Sequence, residues 1–176
     1  HIMRTHTEEE SPYVQKTLQD LIAKKATEGL SWPLEGLQTV LRVITGNTLG
    51  HFFAIPDAGK TSFIHFLMQH LTRQLDEGQT ALWFNNEEGG EKINLRFYSA
   101  VCNATEEQIE ANTDKAEALF RERGGHRVKI YDKAIITVEE IERECIQKNA
   151  RFAVVDIGDK VIYKGKTKAG NGADAL

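Results

Sequence analysis

Apolar residues along this chain alternate between a helical period and short unbroken runs. Val14, Leu18, Leu21 and Ile22 recur at helical spacing within residues 13–25, after a polar, acidic arm over residues 4–11. Lys24-Lys25 and then Gly29 suit the end of that helix. Pro33 biases Trp32 toward extended backbone, and Leu34, Leu37, Val40, Leu41 and Ile44 resume the helical period. Gly46-Asn47 reads as a turn, and residues 51–55 read as a strand. Phe63, Ile64, Leu67, Leu71 and Leu75 form one helix face, and Glu77-Gly78-Gln79 a turn. Residues 80–84 are a nearly continuous apolar run, as a strand covered on both faces requires. Gly89-Gly90 precedes a helix with Ile93, Phe97 and Val101 on one side. Thr105-Glu106-Glu107-Gln108 and Thr137-Val138-Glu139-Glu140 match capping boxes, each predicting a helix start. Between them Ala116, Leu119 and Phe120 mark a helix ending at Gly124-Gly125, and Val128 and Ile130 alternate as in a strand. The second box opens a helix with Val138, Ile141 and Cys145 inward, and residues 152–156 are a further apolar strand ending in Asp156.

Strands that alternate with helices in this way predict an α/β fold, a mainly parallel sheet with helices on both faces. Ligands of such sheets bind beyond the carboxyl ends of the strands. Three chemical features fall at predicted strand ends and so can converge: residues 56–62, Glu87 and Asp156.

The first is Ala54-Ile55-Pro56-Asp57-Ala58-Gly59-Lys60-Thr61-Ser62. It reads as a phosphate-binding P-loop between strand and helix, with Ala54 where the pattern places its first glycine. Pro56, Asp57, Ala58, Gly59, Lys60, Thr61 and Ser62 are its candidate nucleotide-binding residues. Loop N–H groups and those of the helix starting near Lys60 form an anion cradle. Gly59 lets backbone approach phosphate, Lys60 reaches the β- and γ-phosphates of ATP, and the Thr61 hydroxyl ligates Mg²⁺. The plainer alternative is a chance Gly-Lys-Thr at a helix start, with Lys60 merely solvated.

Asp156 suits a Mg²⁺ ligand opposite Thr61, direct or through water; otherwise it is a turn or cap acid. Asp159 is a weaker candidate nearby, or a solvated loop acid. Glu87 and Glu88 end the strand after the loop helix. One of them, with Glu87 preferred, suits a catalytic base that orients and deprotonates water; alternatively both cap the next helix. Asn85 and Asn86 are either polar contacts of the site or turn-forming amides.

Charge and composition narrow the field. With 40% hydrophobic residues, 176 residues support one packed domain. We divide the chain into an N-terminal arm and helix over residues 1–29 and a core over 30–176. The net charge of −4 offers no global basic field for nucleic acid. A local exception is the segment Lys164, Gly165, Lys166, Thr167, Lys168, which is either a candidate contact to a nucleic-acid backbone or a solvated connector. Cys102 and Cys145 fit buried small hydrophobes in a reducing compartment. No apolar run is long enough for a membrane and no signal peptide is visible, so the expected location is cytoplasmic.

Taken together, these residues resemble a known family. Residues 54–61, with alanine first and a proline two residues on, are similar to the P-loop of DnaB-type replicative helicases. Trp83-Phe84-Asn85-Asn86-Glu87-Glu88 resembles the strand of that family that ends in a catalytic glutamate, and Phe152-Ala153-Val154-Val155-Asp156 resembles its Walker B strand. With Gly90-Glu91-Lys92, the set looks closest to phage-encoded members of this RecA-like group, which would put it in the host cytoplasm. The resemblance runs from about Leu30 to Asp159. It implies a RecA-like P-loop NTPase core, ATP hydrolysis with Mg²⁺, a homo-oligomeric ring or filament, and single-stranded DNA in a central channel. A RecA-like recombination or repair ATPase, and a nucleotide-binding regulatory or assembly protein with little turnover, remain alternatives. Two departures stand out. Ile55 occupies a position where the family usually has Arg, and the chain ends soon after the Walker B strand. The resemblance implies that a later strand inserts between the Walker B and P-loop strands, yet no apolar run after Val161-Ile162-Tyr163 could supply it. The expectation is therefore a core truncated after Walker B: a piece of a larger product, or a sheet completed by another chain, with poor hydrolysis by the isolated chain.

Overall fold

A computed structural model describes residues 17–20, 29–41, 43–46, 48–55, 58–156 and 160–162. Most of the helix predicted over residues 13–25 lies outside them. In chain order the elements are α1 (Glu35–Leu41), α2 (Lys60–Thr72), β1 (Thr80–Asn85), α3 (Gly90–Cys102), α4 (Glu106–Ala111), α5 (Thr113–Glu122), β2 (Val128–Asp132), β3 (Ile136–Thr137), α6 (Val138–Gln147), β4 (Ala150–Asp156) and β5 (Val161–Ile162).

The main sheet is parallel, three-stranded and ordered β2-β1-β4. The central strand β1 carries the unbroken apolar run, and its side chains divide by alternation. Ala81 and Trp83 face a core built with Ile64, Leu67, Met68 and Leu71 of α2, Ile93, Phe97 and Val101 of α3, and Phe120 of α5. Leu82 and Phe84 face Ile136, against which Ile141 and Cys145 of α6 pack. Helices therefore cover both faces. Connection handedness explains why: β1 to β2 and β2 to β4 run in opposite directions across the sheet, so two right-handed crossovers put their helices on opposite sides. A second, two-stranded parallel sheet pairs β3 with β5.

Both capping boxes form. Thr105 accepts from Gln108 N–H and Thr137 from Glu140 N–H, and the Gln108 and Glu140 side chains return the bond. Cys102 is buried, Cys145 half-buried, and both are free thiols pushed up in pKa by burial. Among the described residues no helix is long and apolar enough to cross a membrane.

One predicted element is absent. Residues 51–55 form no strand, and Phe53 and Ile55 are 91% and 78% exposed. A strand is held by ladder hydrogen bonds to a neighbour, and among the described residues neither edge strand, β2 nor β4, pairs with this segment. Its contact with the core is through a side chain: the Phe52 ring lies 5.2 Å from Phe63 on α2 and 6.2 Å from Trp32. The helical period after Pro33 also stops early. α1 ends at Leu41 with no buried residue, and Ile44 instead bridges Leu30 in antiparallel pairing.

Two expectations test this packing. A Cβ on Gly125 would lie 2.4 Å from the Phe120 ring, which is itself stacked on Tyr98 and edge-on to Phe97. Gly125→Ala should lower stability by about 1–3 kcal/mol by overpacking, while Gly89→Ala, with open space around it, should be nearly neutral in urea denaturation.

The second concerns His65, buried between Trp83 and Phe97. Burial lowers its pKa, against the raising effect of the Ile93 and Thr61 carbonyls at its two ring nitrogens. The unfolded imidazole takes its proton near pH 6.5 and the folded one only at lower pH, so below about pH 6.5 acidification favours unfolding. The urea midpoint should fall between pH 7 and pH 5.5, and fall less in His65→Gln.

Candidate functional site

Parallel pairing brings the carboxyl ends of the three main strands into one row, with Asn85 in register with both Asp132 and Asp156. The chain leaves β1 through a turn shaped by Asn85, which is fully buried. Its side-chain NH₂ donates to the Glu88 carbonyl, and its side-chain oxygen faces the N–H of Glu87 at 3.4 Å. The turn sends the two glutamates apart. Glu88 pairs with Arg96 at 2.7 Å and Lys92 at 3.7 Å along α3. Glu87 instead meets Lys60 across the site, accepting from Nζ at 3.1 Å.

Lys60 opens α2. Gly59 before it adopts the left-handed conformation (φ 84°), with nothing within 4 Å of where a Cβ would point. The N-cap Gly59 has no side chain to offer this helix end, and none among the described residues caps it; the first N–H groups of a helix point outward, as an anion site needs. Ala58 N–H closes a turn onto the Ile55 carbonyl, Ser62 is exposed and Thr61 half-buried.

The Lys60 ammonium also contacts Asp156 Oδ1 at 3.0 Å. Partial burial pulls the Lys60 pKa down, and the contacts to Asp156 and Glu87 outweigh it, so the net shift is upward. The Asp156 side chain is only 1% exposed, and neither of its oxygens has a hydrogen-bond donor among the described residues. The contact with Lys60 is thus one of charge rather than an aligned hydrogen bond. A buried carboxylate with an unused oxygen fits a cation ligand. Among the described residues no group of three or more His, Cys, Asp or Glu could hold a metal ion, so a divalent ion here would take Asp156 with the Thr61 hydroxyl or Glu87 and complete its shell with water or phosphate oxygens.

Of the residues singled out from the sequence, Lys60, Glu87 and Asp156 come together at one point, with Ala58, Gly59, Thr61 and Ser62 at the adjoining helix start. Pro56, Asp57, Asp159, Lys164, Lys166 and Lys168 lie outside the described residues. Other residues contribute without standing out in the sequence. Asp132 accepts the Gly90 N–H at 2.8 Å and fixes the start of α3. It carries the same signal as Asp156, an acid at the end of a strand. Arg96 and Lys92 hold Glu88 aside, a role visible in the helical spacing of residues 88, 92 and 96. Lys160 donates to the Asn86 carbonyl at 2.6 Å, and no local pattern announces that pairing. A cleft lined by Gln69, Arg73, Asn103, Glu122 and Arg123 lies near the opposite ends of α2 and α3, away from this chemistry.

Asn85→Ala should cost about 1–3 kcal/mol by leaving buried turn groups unpaired. Asn85→Asp should not restore it, since a carboxylate cannot donate to the Glu88 carbonyl. Urea denaturation of the three proteins checks both. Compared with known proteins, the chain matches no family model and no curated protein.

Proposed function

We propose that this chain is the ATP-binding and ATP-hydrolysing core of a DnaB-like motor on single-stranded DNA, with a RecA-like P-loop arrangement and like subunits in a ring or filament. The observation that carries the reading is Lys60, at the start of α2, facing Glu87 and buried Asp156 at the carboxyl ends of β1 and β4. In this reading the α2 amides and Gly59 bind phosphate oxygens, and Lys60 swings its ammonium onto the β- and γ-phosphates. Thr61 and Asp156 would hold Mg²⁺, which supplies charge compensation on the phosphates. Glu87, partly exposed and free of Arg96, orients a water and takes its proton at a carboxylate oxygen. Glu88 stays paired to Arg96 and orients the turn.

A regulatory nucleotide-binding protein with little turnover is the second reading. The failure of residues 51–55 to join the sheet favours it, because a loop without its strand is poorly fixed for catalysis. The ATPase rate with and without single-stranded DNA separates the two, since only a motor is stimulated.

Lys60→Ala should weaken ATP binding and abolish hydrolysis. Glu87→Gln should retain binding and lose about 10²–10⁴-fold in turnover, with Glu88→Gln close to wild type. The opposite ranking of the two glutamines in a phosphate-release assay would refute the assignment of the base. Replacing Lys164, Lys166 and Lys168 with alanine should flatten the salt dependence of single-strand binding by about 0.7 in log–log slope for each phosphate no longer neutralised. An unchanged slope would make that segment a connector.

A further inference from the structure

We infer that Lys60 is a built-in counter-ion that excludes divalent cations from Asp156 and Glu87 until an anionic ligand draws its ammonium away. The inference rests on the proposed nucleotide site only for what that anion is. One ammonium spans both carboxylates, 3.0 Å from Asp156 Oδ1 and 3.1 Å from Glu87 Oε2. Asp156 is buried, so its charge must be balanced from close by, and Lys60 is its cationic contact among the described residues. The remaining oxygen of Asp156 has no donor there, so the group retains ligating capacity that Lys60 does not use.

A divalent ion entering beside the ammonium meets a like charge at a few ångströms, over a carboxylate, Asp156, that is itself buried. It binds well only if the ammonium leaves. The side chain has somewhere to go, because Lys60 is itself the first residue of α2, and the amides beside it, uncapped among the described residues, suit phosphate. A polyphosphate bound there attracts the ammonium off the carboxylates and uncovers them. Metal and phosphate binding are thus coupled through one side chain, and the coupling is reciprocal.

The test needs no nucleotide. Mn²⁺ is titrated into the wild-type chain, Lys60→Gln, Lys60→Met and the double variant Lys60→Gln/Asp156→Asn, with free Mn²⁺ read by electron paramagnetic resonance and folding by circular dichroism. The glutamine amide can offer Asp156 an N–H in place of the lost charge, which guards against loss of the fold. Lys60→Gln and Lys60→Met should bind one Mn²⁺ at least tenfold more tightly than wild type, and the double variant should lose that gain. Wild-type binding as tight as that of the variants, or no gain in a folded Lys60 variant, overturns the inference. Binding of a fluorescent ATP analogue to wild type in EDTA is measured separately. Its failure would count against the nucleotide reading while the Mn²⁺ result still decides the role of Lys60.

Discussion

A parallel strand covered on both faces has no water for its backbone, so each of its N–H and C=O groups must meet another strand. Strand β1 meets that demand by pairing along its length with β2 on one side and β4 on the other. The rest of the architecture follows from this. Trp83 and Ala81 on one face recruit α2, α3 and α5, while Leu82 and Phe84 on the other recruit α6. The register also brings Asn85, Asp132 and Asp156 level at one edge of the sheet.

That edge concentrates negative charge, and its acids are handled differently. Asp132 is engaged by a backbone N–H at the start of α3. Glu88 is neutralised by Arg96. Asp156 and Glu87 share Lys60, which comes from another helix. A shared ammonium is more easily displaced than an arginine, because it is a point charge on a flexible stem. Asp156 and Glu87 thus have a partner that can be displaced, while Glu88 is held by an arginine and a second cation, Lys92, along α3.

An aromatic layer packs behind the site. His65 lies between the Thr61 and Ile93 carbonyls, its neutral ring donating to one of them, and is edge-on to Trp83. The first turn of α2, which carries Lys60, is thereby packed beside the first turn of α3. Phe97 continues the contact to Phe120, on which Tyr98 stacks. The site thus stands on a packed base, while the segment leading into it from residue 51 stands largely in solvent.

Local chemistry written into the sequence specifies most of the elements. Capping boxes, Gly78 and Gly124 in left-handed turns, and the buried run of β1 each act within a few residues, and each is present in the fold. Strand-end acids are visible for the same reason, since a hydrophobic run followed by Asp or Glu marks where a buried strand surfaces. The segment 51–55 reads as a strand and is none, because apolar composition alone does not make one; a hydrogen-bonding edge must be present beside it. The separation of Glu87 from Glu88 is likewise only half visible. Adjacent strand residues must diverge, but which one meets Lys60 and which meets Arg96 depends on the turn at Asn85 and the placement of α2 and α3. Sequence by itself determined most of the elements and the types of charge at their ends, because those depend on neighbours in the chain. Only the tertiary structure decided which charges met, because Lys60 is brought within 3.1 Å of both Glu87 and Asp156 by strand register and helix packing, and these are long-range.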